Sequence, residues 1–190
     1  EIAQVMAELA LAEGYMDVIA LAQAGVHAAV APLGTALTEH QLERLWRMVD
    51  VPTLCFDGDK AGQKAAIRAA HRALPMLVPG RSLSFVTLPE GEDPDDLMRS
   101  KGPAAFEALV QAAAPLVERL WQHELAAEPL DTPEQRAGLG ARLRALRQKL
   151  VARQPLHLAV VVEGLLGAHA LAAQLRQAED LGVFQQQVLA

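Results

Sequence analysis

Cysteine is nearly absent. Cys55 stands alone in 190 residues, which excludes an internal disulfide framework and a paired-cysteine zinc module and makes a reducing cytoplasm the expected compartment. Positive charge is also short. Seventeen Lys and Arg against 23 Asp and Glu leave a formal charge of −6. That balance excludes a whole-surface nucleic-acid binder, because neutralising phosphates needs a basic footprint; a local basic strip stays open. Glu1 is followed by neither a basic leader nor a small-residue cleavage site, so no secretory signal is read, and the missing initiator Met suggests a piece of a longer protein. Long apolar runs are missing too. Val18 to Thr38 is free of formal charge, but Gly25, His27, Pro32 and Gly34 interrupt it, and Ala, Gly and Gln stand where a membrane span needs Leu, Ile and Phe. No membrane partner is expected. What is present is a globular composition, 52% hydrophobic and 21% charged, long enough for one ordinary domain with a helical appendage.

The first 102 residues alternate between helical and strand patterns. Asp17 to Ala24 is helix-forming and stops at Gly25; His27 to Ala31 is a short apolar run. Thr38 and Gln41 have the spacing of a capping box for a helix to about Val49, with Leu42, Leu45, Trp46 and Val49 on one face. Val51 to Phe56 reads as a buried strand, Ala61 to Leu77 as a helix disturbed by Pro75, and Arg81 to Leu88 as an alternating strand. Strands separated by such helices predict parallel pairing with right-handed crossovers. After Gly102 the strand signal disappears. Pro103 to Ala113, Pro115 to Ala126 and Pro133 to about Arg153 each open with proline at a plausible first helical position. The last of these carries Arg136, Arg142, Arg144, Arg147, Lys149 and Arg153, readable as a solvated face or a nucleic-acid contact. The expected organisation is therefore α/β over 1–102, a helical extension over 103–153, and an unassigned, helix-prone segment over 154–190.

In an open parallel sheet, ligands sit beyond the carboxyl ends of the strands. Here those positions are acidic. Phe56 is followed by Asp57-Gly58-Asp59, and Leu88 by Pro89-Glu90-Gly91-Glu92-Asp93-Pro94-Asp95-Asp96, while Glu13-Gly14 precedes the helix holding Asp17. Gathered carboxylates repel one another, and a hard divalent cation, magnesium or manganese rather than zinc, relieves them. Asp59-Lys60-Ala61-Gly62 opens a helix with backbone N–H groups and a cation suited to phosphate. Gly34-Thr35 follows a strand and fits either a phosphate contact or a simple turn. Taken singly, Asp59 and Asp93 read as helix caps; it is their joint pattern that points to a ligand. Cys55, Trp46 and Trp121 read as core residues, and His27, His40 and His71 are too scattered for a catalytic dyad.

The stretches Glu13-Gly14-Tyr15-Met16-Asp17-Val18, Leu33-Gly34-Thr35-Ala36, Phe56 to Gly62 and Leu88 to Asp95 resemble, in order and spacing, the successive motifs of the TOPRIM domain of bacterial replicative DNA primases. The resemblance continues to about Arg147. It implies a parallel four-stranded sheet flanked by helices, within an RNA polymerase that makes primers on single-stranded DNA. It further implies Glu13, Asp57 and Asp59 as the acidic triad, with Asp17, Asp93 and Asp95 as further metal acids and Mg2+ or Mn2+ as cofactor. Nucleoside triphosphates, the RNA primer and the replicative helicase would be the other partners, the helicase through a domain absent from this chain. The family's zinc-binding module and basic polymerase subdomain are also absent, so the chain alone is expected to be inactive. TOPRIM nuclease or topoisomerase chemistry, or a non-catalytic metal- and nucleotide-binding module, are the alternatives; the sole tyrosine, Tyr15, beside the acids does not favour a topoisomerase. One conflict is visible. Residues 1–11 favour helix by propensity, while presenting Glu13 at a sheet edge requires roughly Ala7 to Ala12 to be extended and parallel to the strand before Asp57. A continuous helix there would leave the His157 to Val162 run, followed by Glu163-Gly164, as the replacement.

Overall fold

In the computed structural model of the chain, residues 10–11, 14–23, 28–32 and 36–151 are described. The chain divides into two compact units between Leu120 and Trp121.

The first unit is built on one sheet, with strands β1 (Ala10–Leu11), β2 (Ala29–Val30), β3 (Thr53–Phe56), β4 (Ser84–Thr87) and β5 (Ala114–Pro115) in the order β2-β1-β3-β4-β5. The first four are parallel, as the alternating pattern predicts. The conflict at the amino-terminal end resolves toward the strand. Ala10 lies opposite Thr53 and Leu11 opposite Leu54, and the same two residues pair with Ala29 and Val30 on the other side. Two neighbouring ladders satisfy backbone groups on both sides, which outweighs a local propensity worth only tenths of a kcal/mol (about 0.5) per residue. Residues 7–9 and 12 lie outside the described residues, as does the His157 to Val162 run.

The expected four-stranded sheet is corrected by β5, which runs antiparallel to β4 with Ser84 opposite Pro115 and Phe85 opposite Ala114. No sequence pattern announces a two-residue strand, and Pro115 argues against one; an outer position tolerates it, because proline there lacks only an outward donor. The N–H of Leu116 then donates to the Leu83 carbonyl at 2.9 Å. The expected helix from Pro115 accordingly starts one residue later.

The described residues contain seven α-helices: α1 (Tyr15–Gln23), α2 (Glu39–Met48), α3 (Lys60–Ala73), α4 (Pro94–Lys101), α5 (Pro103–Gln111), α6 (Leu116–Ala126) and α7 (Pro133–Val151). Thr38 and Gln41 form the expected capping box, with Gln41 N–H on the Thr38 hydroxyl and the Gln41 side chain accepting the Thr38 N–H at 2.8 Å. Proline at position 75 turns the end of α3 into the 3₁₀ segment Leu74–Met76, since it cannot supply the next helical N–H. Among the described residues no helix is long and apolar enough to cross a membrane.

Alternation along β3 and β4 divides the core. Cys55 and Val86 meet Leu21, Leu88, Leu97 and Phe106, contributed by α1, the loop after β4, α4 and α5. On the other face Phe56 and Phe85 stack with ring centroids 6.4 Å apart. The step from β1 to β2 and the step from β3 to β4 go in opposite directions across the sheet. Right-handed crossovers therefore place α3 on the face opposite α1. Trp46 is buried and donates its indole N–H to the Ser82 carbonyl at 2.8 Å, a core role as expected. The compact unit continues past the expected boundary at 102, because Phe106 enters this core and β5 extends the sheet.

Phe106 is 1% exposed, so Phe106→Ala should cost about 3–5 kcal/mol. Urea unfolding of the full chain measures it, and a loss under about 1 kcal/mol would mean that α5 is not part of the core.

Candidate functional site

Strand order alone selects one edge. Successive connections leave β1 in one direction for β2 and resume on its other side at β3, so the crevice of an open parallel sheet lies at the carboxyl ends of β1 and β3. The residue after β3 is Asp57. The residues after β1 include Glu13, which lies outside the described residues, as do Gly34 and Thr35 after β2.

Two backbones interlock at this edge. Gly58 donates its N–H to the Glu92 carbonyl at 2.9 Å, and a Cβ on Gly58 would stand 1.9 Å from the Pro89 carbonyl oxygen. No side chain fits there. The opposing loop is a tight turn in which Glu92 N–H donates to Pro89 carbonyl at 3.2 Å, with Gly91 at φ +78°, a value that favours glycine. The two acidic loops are thus fixed against each other, and Asp57 lies close enough to Asp93 of the second loop to feel its charge.

Each acid has a local role as well. Asp59 caps α3, its Oδ1 accepting the Gly62 N–H at 2.7 Å, and Asp93 caps α4 by accepting the Asp96 N–H at the same distance. Asp17 reaches back to the Gly14 N–H at 3.0 Å at the start of α1, and Asp95 pairs with Arg99 one turn on. Asp57 has none of these duties in the contacts described and is partly buried. Burial first, then Asp17, Asp93 and Asp59, push its carboxyl above the ordinary value of 3.8. Asp17, 9% exposed, is raised chiefly by burial and also by Asp93 and Asp95, against a lowering by the Gly14 hydrogen bond.

These mutual effects gather Asp17, Asp57, Asp59, Asp93 and Asp95 into one electrostatic cluster. They do not form a closed cage: among the described residues no three His, Cys, Asp or Glu side chains stand together as metal ligands do. Caps and the Arg99 pair hold several carboxylates at their own helices. The donor set is nonetheless all oxygen and self-repelling, which suits a hard divalent ion.

The phosphate expectation changes in one part. Lys60 is exposed at the first position of α3, but the Gly62 N–H, expected to be free for an anion, is taken by the Asp59 cap. Gly62 serves instead to let α3 pass the strand end, since a Cβ would meet the Asp57 carbonyl oxygen at 2.3 Å. The basic strip is also narrower than the sequence implied. Arg136 donates to the Leu130 carbonyl at 2.8 Å, and Arg142 is held by Glu124 at 2.8 Å and by Glu128. Arg144, Arg147 and Lys149 remain exposed. Sequence reasoning missed two partners. Glu92 and Lys101 pair at 2.8 Å across α4, and Glu124, 7% exposed, meets Arg142 across 18 residues without any spacing signal.

Because the folded value of Asp57 lies above its unfolded one, the folded chain binds that proton more tightly. The stability this confers is full below about pH 3.8 and is lost as pH rises through the folded value. Asp57→Asn should therefore raise the melting temperature without metal at pH 7 and flatten the fall in stability above pH 3.8. Thermal melts across pH measure both, and a lower melting temperature at pH 7 would contradict the repulsion.

Comparison with known proteins places this edge in a family. Residues 10–98 match the family described as Toprim-like. The chain is 47% identical over 144 residues to a DNA primase of Pseudomonas aeruginosa, covering 75% of this chain and 22% of that protein. It is 45% identical over 147 residues to a DNA primase of Escherichia coli, covering 77% and 25%. Among solved structures, the Escherichia coli primase catalytic core shares a TM-score of 0.71 at 41% identity, covering 84% of this chain and 51% of that one. A DnaG primase catalytic domain bound to ssDNA gives 0.70 at 43% identity, covering 75% and 46%. The chain thus spans 22–25% of the length of these curated relatives. With motif order, sheet edge and similarity in agreement, the chain belongs to the bacterial DNA primase family over the stretch that holds the TOPRIM domain and the helices after it.

Proposed function

We propose that this chain provides the metal-holding acidic edge of a primase, a nucleotidyltransferase that builds RNA primers from nucleoside triphosphates on a single-stranded DNA template. The observation that carries the proposal is the set of mutually repelling carboxylates around Asp57 at the β1–β3 edge. Primase relatives, one of them solved with ssDNA, support the template as partner. The replicative helicase belongs to the proposal only through parts of such a protein outside this chain.

In this reading Asp57 and Asp59 hold Mg2+ or Mn2+, with Glu13, Asp17, Asp93 and Asp95 as further acids. Bound there, the ions supply activation of the primer 3′-hydroxyl and charge neutralisation on the incoming triphosphate. The chain's own residues do the rest. Gly58 keeps Asp57 and Asp59 on either side of a locked backbone, and the Asp59 cap uses Oδ1 and leaves the second carboxylate oxygen for an ion. Lys60, exposed beside them, gives a phosphate oxygen a cation without blocking the carboxylates. Catalytic roles for Glu13, Asp57 and Asp59 follow from this assignment.

Manganese titration followed by electron paramagnetic resonance tests it. The double variant Asp57→Asn, Asp59→Asn should lose binding, at least tenfold, while melting no lower than the parent chain without metal, because asparagine still caps a helix and the repulsion at Asp57 is gone. Unchanged manganese affinity would overturn the metal reading. For DNA, the chain by itself should bind single strands weakly, lose that binding steeply with salt, and make little primer. Charge reversal at Arg144, Arg147 and Lys149 should remove the remaining affinity. Tight binding at 0.15 M salt (about physiological) would contradict the acidic balance of the chain.

A further inference from the structure

Helix α4 begins among acids and ends in bases, and the side chain of its last residue reaches back past its start. Lys101, its last residue, places Nζ 2.8 and 3.1 Å from the two carboxylate oxygens of Glu92, which lies just before the Asp93 cap. Glu92 therefore faces two ways. Its side chain is held by Lys101, while its backbone carbonyl accepts the Gly58 N–H at 2.9 Å, the contact that fixes the loop carrying Asp57 and Asp59.

We infer that Lys101 is a positioning residue for the acidic edge: through Glu92 it fixes the 89–92 turn, and through that turn it fixes Gly58 and the spacing of Asp57 from Asp59. The inference rests on the metal reading proposed above and deepens it. It also gives Glu92 a role distinct from that of its neighbour Asp93, because both Glu92 carboxylate oxygens face the ammonium group. The pair is well placed to steer a loop and poorly placed to stabilise the fold. Lys101 and Glu92 side chains are 47% and 29% exposed, and pairs of that kind contribute little to global stability.

Two roles for Lys101 predict opposite signs. If it acted only as a nearby positive charge, removing it would strengthen the binding of a cation to the acids. If it positions the loop, removing it weakens that binding. The test is manganese affinity of the full chain by paramagnetic resonance, with thermal melts in parallel. Lys101→Met should weaken manganese binding threefold or more with little change in melting temperature, Glu92→Gln should do the same, and Lys101→Arg should restore most of the affinity by keeping the pair. Unchanged or tighter binding in both Lys101→Met and Glu92→Gln overturns the inference while leaving the metal site standing. A wild-type chain that binds no manganese ends the metal reading and the inference with it. Loss of affinity matched by a large drop in melting temperature, in both variants, assigns the pair to global stability and rejects positioning.

Discussion

The acidic edge depends on one close approach, the passage of the Gly58 backbone against the Pro89 and Glu92 carbonyls. Any Cβ at Gly58 would overlap the Pro89 oxygen, so at this point the loop after β3 and the loop after β4 meet main chain to main chain. Main-chain contact fixes geometry more tightly than side chains do, since no rotamer has to be ordered to make it. Gly62 applies the same device one turn into α3, where the helix passes the Asp57 carbonyl. The sheet supplies the platform. β3 is buried along its whole length, and its neighbours β1 and β4 share its direction.

Around this contact, capping a helix and holding an ion in the proposed way compete only in part. An aspartate that caps a helix uses one oxygen on a backbone N–H, which orients the carboxylate and leaves the other oxygen outward. Asp59 and Asp93 are held in this way at two helix starts that point to the same edge. Asp17 and Asp95 are held by Gly14 and Arg99. Capping and ligation are thus compatible readings of the same residues, and the caps keep mutually repelling acids from turning away into solvent. What they cannot remove is the repulsion itself, which adds to burial, the larger cause, in raising the carboxyls of Asp57 and Asp17. Repulsion among gathered carboxylates is the natural counterpart of a divalent cation.

Away from the edge, the second unit organises its charge differently. Arg142 bridges Glu124 and Glu128, and Arg136 closes the segment before α7 on its backbone carbonyls. A buried glutamate with a well-placed arginine costs desolvation that its hydrogen bonds offset, and removing either partner would leave the other uncompensated. Bases that look alike along the helix in sequence therefore divide into internal ties and solvent-facing groups.

Much of this was legible in the residues themselves. Periodicity and cap spacing locate β3, β4 and α2 to α4, because these patterns are local: Thr38 finds Gln41 and Asp59 finds Gly62 three residues away. The order of acid-glycine motifs likewise marks the sheet edge and the family. What only the tertiary structure decided is everything that depends on distant partners. Ala10 and Leu11 become a strand because two ladders are available to them, and Ala114–Pro115 become one because β4 has an open side. Gly62 turns from an anion donor into a packing glycine through Asp57, Glu92 is claimed by Lys101, and Arg142 by a glutamate 18 residues away. Sequence spacing carries information over one helical turn or one strand alternation; which group fills a space or completes a hydrogen bond across the fold is set by packing, and packing exists only once the chain has folded.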